Sequence, residues 1–212
     1  DDSHRVPLVR TTTKYSSAAQ SFQYVHRNLA DQLRMIASLP VEFNNALIET
    51  YMNSYATMGY HSDQALDLAD DSYIAVFSCY KYPERANNPR KLVVESKESK
   101  YKFEIPLLHN SVVVWSVETN RKFKHKIVLD PVKHQADNQW LGITFRTSKT
   151  YVSYTDKGTF LEDSTPLVLG DDDQCQEFYH LRRRENEELD YQYPPISYTI
   201  SKSDLMPITE QF

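Results

Sequence analysis

The sequence predicts a mainly β protein of α+β class: a double-sheet sandwich or barrel, with one N-terminal helix packed on it and a partly helical C-terminal extension. Three observations carry this expectation. An apolar stripe of helical period occurs once near the start. Seven short segments rich in β-branched and aromatic residues follow, separated by polar turns. The last sixty or so residues then change character, becoming acidic and interrupted by prolines. One helix followed by a run of strands needs two packed β layers to bury its apolar faces.

The helix is read over 18–38, "AAQSFQYVHRNLADQLRMIAS", where Phe22, Val25, Leu29, Leu33 and Ile36 recur on one face. Ser16 or Ser17 is its expected cap and Pro40 its stop. The strands are read at 45–52, 72–80, 90–95, 100–107, 111–118, 123–130 and 140–147. "KYKFEI" and "FKHKIVL" alternate as half-exposed strands do. A second helix is expected over 171–191, favoured by Asp171 to Asp173 at its positive N-terminal end, with Phe178 and Leu181 as a narrow apolar stripe. Its run of arginines at 182–184 is expected to be a solvated face. These readings divide the chain into a domain over 1–150, with its core at 43–147, and an extension over 151–212 packed on that core.

At 212 residues, 40% of them hydrophobic and 25% charged, the chain can bury a substantial core. No apolar run approaches the ~18 residues of a membrane span, and no opening run has the charged-then-apolar form of a secretory signal. Two distant cysteines, Cys79 and Cys175, form no disulfide framework, so an intracellular, reducing setting is expected. The four glycines are scattered, which excludes phosphate-cradling loops built on clustered glycine. Net charge is −5, yet residues 81–133 hold twelve basic against six acidic side chains, and residues 156–212 five against thirteen. A basic middle segment of this kind can meet phosphates.

His61 and Asp63 stand two apart before an apolar strand. On extended chain, residues i and i+2 point the same way, so imidazole and carboxylate can converge on one ion. With one further imidazole they form the facial triad of non-haem Fe(II) oxygenases, which leaves three coordination positions open. His125, in an alternating strand, is the expected third ligand, with His134 and His109 as alternatives in loops. Arg146, late in a strand and among apolar neighbours, is the candidate cation for the far carboxylate of a 2-oxo acid, although by position alone a strand-end arginine reaching solvent is the expected reading. Trp115 and Trp140 are expected to be core aromatics.

Taken together, these segments resemble the AlkB-like family of Fe(II)/2-oxoglutarate-dependent dioxygenases. "FNNALIETYMNSYATMGYHSD" resembles the family's strand, loop and H-x-D block, "NSVVVWSVETNRKFKH" the stretch leading to the third ligand, and "ITFR" the end of its closing motif. The resemblance spans roughly 43–147. It implies a double-stranded β-helix (jelly-roll) core and an oxidoreductase that binds Fe(II) through His61, Asp63 and His125. It also implies that Tyr51 and Arg146 contact 2-oxoglutarate, with Lys124 or Lys126 as helpers. No catalytic residue beyond the metal ligands is expected. The implied reaction is oxidative demethylation or hydroxylation of a modified base, single-stranded or flipped from nucleic acid. The same chemistry on a small molecule or protein, and a non-catalytic binding module, are the alternatives. The chain departs from the family pattern at Glu49, where asparagine is usual, and at Trp140 and Gly142, where arginine and asparagine are usual. Gln64 and Ala65 stand where an acidic base-reading residue is usual.

Overall fold

The computed structural model describes residues 5–132 and 137–209. Its strands are β1 (Val6–Leu8), β2 (Asn45–Tyr51), β3 (Tyr73–Tyr80), β4 (Lys91–Ser96), β5 (Lys102–Pro106), β6 (Ser111–Ser116), β7 (Phe123–Val128), β8 (Trp140–Arg146), β9 (Thr150–Thr155), β10 (Gly158–Leu161), β11 (Val168–Leu169) and β12 (Tyr198–Thr199). The helices are α1 (Tyr24–Ile36), α2 (Val117–Lys122) and α3 (Asp172–Glu187). All seven expected strands are present. The last residues of the segment read as 111–118 leave β6 and enter the short helix α2, capped by Ser116, whose side chain accepts from Thr119 N at 3.0 Å.

Two antiparallel sheets, ordered β2-β8-β3-β6 and β5-β4-β7, form the jelly-roll core. Strand alternation divides the residues of the larger sheet between two cores. Leu141, Ile143 and Phe145 of β8, with Ala75 and Phe77 of β3, turn outward and pack under α1, against Ala30 and Leu33. Trp140 of β8, with Val76 and Tyr80 of β3, turns inward to meet Leu92 and Val94 of β4 and Ile127 of β7. Gly142 and Arg146 share the inward face with Trp140. A third sheet, β1-β9-β10, joins the N-terminal strand to the segment after the core.

The N-terminal helix is shorter than its periodicity suggests. It starts at Tyr24, with Gln23 as cap and His26 Nδ1 accepting from Gln23 N at 3.2 Å, so neither Ser16 nor Ser17 caps it. Its buried residues are Ala30 and Leu33, while Val25 and Ile36 are exposed. The helix lies on the sheet through its middle turns only, and its ends leave their apolar side chains in solvent. α3 does bury Phe178 and Leu181, together with Glu185. Arg183 and Arg184 are solvated, but Arg182 is half-buried and pairs with Glu185 at 2.5 Å. Cys79 and Cys175 are free thiols. No helix among the described residues is long and apolar enough to cross a membrane.

Trp140 and Gly142 interlock. A Cβ at Gly142 would come within 2.1 Å of the Trp140 ring carbon Cη2, because residues i and i+2 of a strand share a face and the indole folds over the glycine. Gly142→Ala is therefore expected to destabilise the fold by ~2 kcal/mol, the cost of overpacking a filled core. Urea unfolding checks this, and combining it with Trp140→Leu should give a cost well below the sum of the two single changes.

Lys97 is buried, and burial pushes its ammonium down to about 8. A lysine lowered in the folded state penalises folding while it stays charged. Stability therefore rises as pH climbs from about 8 toward its ordinary 10.5. Lys97→Met should remove that rising component, measured as the difference between the two proteins' urea midpoints across this window.

Candidate metal centre

His61 lies in the loop after β2 and His125 near the middle of β7. The two are joined by a two-residue antiparallel bridge: His61 N donates to His125 O at 2.9 Å, and His125 N donates to His61 O at 2.7 Å. The bridge brings their rings to 4.6 Å between centroids. Two residues on, Asp63 points back to the same place. Its Oδ1 lies 4.0 Å from His61 Nε2 and 3.4 Å from His125 Nε2. One ligand atom from each of the three falls within 4.8 Å of the others, the only such group of three among the described residues. The structure brings together the three residues expected from the sequence, with His125 buried on its strand. His109 is elsewhere, its Nδ1 accepting from Tyr80 N at 3.0 Å. His134 lies outside the described residues.

The electrostatics suit a cation. Burial, and next the neighbouring His125, lower the His61 imidazole to about 4, so the ring is neutral near pH 7 and its lone pair is available. Burial alone would raise the Asp63 carboxyl, but the Arg146 guanidinium and His125 outweigh it and hold the group well below the usual carboxylate range. The carboxylate divides its oxygens: Oδ1 faces the imidazoles, while Oδ2 accepts from Arg146 Nε at 2.8 Å and lies 2.7 Å from Nη2. Trp115 sets its indole edge against the His125 ring at 5.2 Å. It is thus a wall of the centre as well as a core aromatic. Trp140 is fully buried core.

Two imidazoles and an ionised carboxylate are donors that first-row divalent metals take. Bonds of about 2.1 Å at right angles set neighbouring donors about 3 Å apart, so small side-chain rotations would close this set on an ion. The residues present fit Fe(II).

The expected cosubstrate residues are both inward and both engaged. Arg146 is turned to Asp63, and its Nη1 bonds to no protein group among the described residues. Tyr51 donates its hydroxyl to Glu49 Oε1 at 2.7 Å, with its ring stacked between Tyr55 and Trp140. Burial, then Glu49, pushes the Tyr51 phenol up, so it stays protonated. Neither expected helper faces this interior: Lys124 pairs with Glu95 at 3.3 Å, and Lys126 lies over the Tyr60 ring. Two residues that sequence reading passed over hold the loop. Asn120 of α2 accepts from Asp63 N at 2.8 Å and donates to Asp63 O at 2.7 Å. Glu185 of α3 accepts from Ala65 N at 2.8 Å. Both are buried polar residues in helices that periodicity marks only by their apolar members.

A β sandwich holding two histidines and an aspartate on one face defines the class of non-haem iron oxygenases. The family model of the 2OG-Fe(II) oxygenase superfamily matches residues 5–146, and the chain belongs to that superfamily, whose members use Fe(II) and 2-oxoglutarate. A solved Pseudomonas putida prolyl-4-hydroxylase is similar at 13% identity and a TM-score of 0.38, over 58% of this chain and 64% of that one. The chain therefore spans just under two-thirds of that structure's length. No curated protein matches the chain.

His61→Ala is expected to abolish Co(II) or Fe(II) binding while leaving the far-UV dichroism and unfolding midpoint close to wild type, because the bridge to His125 is made by backbone. Metal titration alongside thermal melting checks both halves.

Proposed function

We propose that this chain is an AlkB-like dioxygenase that oxidises a modified base in nucleic acid. His61, Asp63 and His125 would hold Fe(II), and the bound pair of iron and 2-oxoglutarate would supply the activation of dioxygen needed to oxidise a C–H bond. The chain's own residues prepare this site. Arg146 orients Asp63 through Nε and Nη2 and keeps Nη1 for a carboxylate of the oxo acid. Tyr51, held by Glu49 and the Trp140 ring, lines the same inward face. Trp115 holds the His125 ring and keeps water from its edge.

The observation that carries the nucleic-acid reading is a cluster of lysines on the outer face of the sheet that carries His125. Lys102, Lys124 and Lys126 set their ammonium groups 5.2, 6.0 and 4.6 Å from the ring centre of Tyr60, the residue before His61. Glu95 neutralises part of this charge, pairing with Lys102 at 2.8 Å and Lys124 at 3.3 Å, and leaves a net positive patch. Phe103, Val94 and His125 form one row across β5, β4 and β7. Phe103 is partly exposed there and meets the Phe123 ring at 6.5 Å. The ammonium groups suit phosphates, while Phe103 and Phe123 lie on the opposite face of this sheet, the face of His125, where open aromatic rings suit bases.

The test is to incubate iron-loaded protein with 2-oxoglutarate and single-stranded oligonucleotides carrying N-methylated bases. Succinate should form as methyl is lost as formaldehyde. Oligonucleotide affinity should fall with salt, and replacing Lys102, Lys124 and Lys126 by Ala should reduce the log–log salt slope by about 2, at ~0.7 per phosphate contact. Turnover of other substrates with no oligonucleotide affinity would assign the same chemistry to a small molecule or protein.

A further inference from the structure

We infer that α3, outside the residues the family model matches, is a clamp that positions the metal-binding loop. The inference rests on His61, Asp63 and His125 forming the metal centre.

Residues 62–65 connect His61 to the core, and their backbone is held largely by side chains. Ser62 N donates to Asn186 Oδ1 at 2.9 Å, and Ser62 O accepts from Arg182 Nη2. Ala65 N donates to Glu185 Oε1 at 2.8 Å. All three partners come from the last turn and a half of α3, where residues three and four apart share a face. Asp63, between these anchor points, is gripped on both sides by Asn120.

The clamp is itself braced. Glu185 is 2% exposed. Its second oxygen accepts from Arg182 Nη1 at 2.5 Å and from the Tyr193 hydroxyl at 2.7 Å. Lys97, from the turn after β4, donates to Glu185 O at 2.5 Å and Glu188 O at 3.2 Å, tying the C-terminal end of α3 to the β5-β4-β7 sheet that carries His125. Phe178 and Leu181 anchor the helix in a core with Tyr191, Ile196, Tyr198 and Ile200.

The loop needs such restraint. Gln64, next to Asp63, is buried with both its amide nitrogen and its oxygen unpaired. Unmade bonds of buried polar groups are costly, so the observed loop conformation is unfavourable by itself. Bonds from α3 offset that cost and keep the Asp63 carboxylate near the two imidazoles. Arg182, Glu185 and Asn186 are thus positioning residues that act through the backbone of 62–65. Groups that orient metal ligands in this way typically contribute 10- to 100-fold to metal affinity.

The test is Co(II) titration of the full chain, read by affinity and by the visible ligand-field spectrum, with far-UV dichroism as a check on folding. Asn186→Ala should weaken Co(II) binding about tenfold and change the spectrum, and Asn186→Asp, which still accepts from Ser62 N, should restore both. Glu185→Ala should weaken binding at least as much. Arg183→Ala, on the solvated face of the same helix, should bind like wild type. Wild-type affinity and spectrum in Asn186→Ala and Glu185→Ala would overturn the clamp while leaving the metal centre standing. If Glu185→Ala does not fold, Asn186→Ala, at a half-buried site, decides alone. A wild-type chain that binds no Co(II) would overturn the metal centre, and the clamp with it.

Discussion

Two backbone hydrogen bonds, His61 N to His125 O at 2.9 Å and His125 N to His61 O at 2.7 Å, decide where the imidazoles can be. They join a loop to a strand that the same loop also meets at the Thr57–Val128 bridge, outside the regular ladders. Because the bridge is made by backbone, it does not depend on which side chains it carries. Strand alternation then brings Asp63 to the same side as His61, and Arg146 supplies the charge that lets a buried carboxylate remain ionised. Without the guanidinium, burial would raise the carboxyl and weaken it as a ligand. Position comes from the bridge and ionisation from the arginine, so the centre needs both.

The same alternation assigns the two faces of β8 different tasks. One face carries Leu141, Ile143 and Phe145 and supports α1. The other carries Trp140, Gly142 and Arg146 toward the interior. Trp140 and Gly142 fit each other so closely that they act as one unit, an indole lying over a bare backbone. Polar contacts with the oxo acid are usual at those positions in the family that the sequence resembles. Here the indole instead extends the stack of Tyr55 and Tyr51, and Arg146 remains as the inward cation of the strand.

Much of this was legible in the chain. The strands announce themselves by β-branched and aromatic runs, and His61, Asp63 and His125 by spacing and alternation. What was hidden depends on contacts between residues distant in sequence. Val25 and Ile36 fit the helical period yet are exposed, because period describes a helix and says nothing of how much of it the sheet covers. Ser16 and Ser17 have the right chemistry for a cap, but the helix starts later. α2 is too short for periodicity to register. Arg182 reads as one of three like charges, and only the fold separates it from Arg183 and Arg184 by seating it on Glu185 and Ser62. Arg146 read by position alone as a strand-end arginine reaching solvent, and its burial against Asp63 was visible only in three dimensions.

The most direct measurement is X-ray absorption at the metal edge of the Fe(II)-loaded chain, compared with the same measurement on His125→Ala. The account predicts two imidazoles and a carboxylate around the ion in the wild type, and loss of this imidazole-bound iron in the variant. A wild-type spectrum lacking imidazole scattering, or one unchanged by loss of His125, would contradict it.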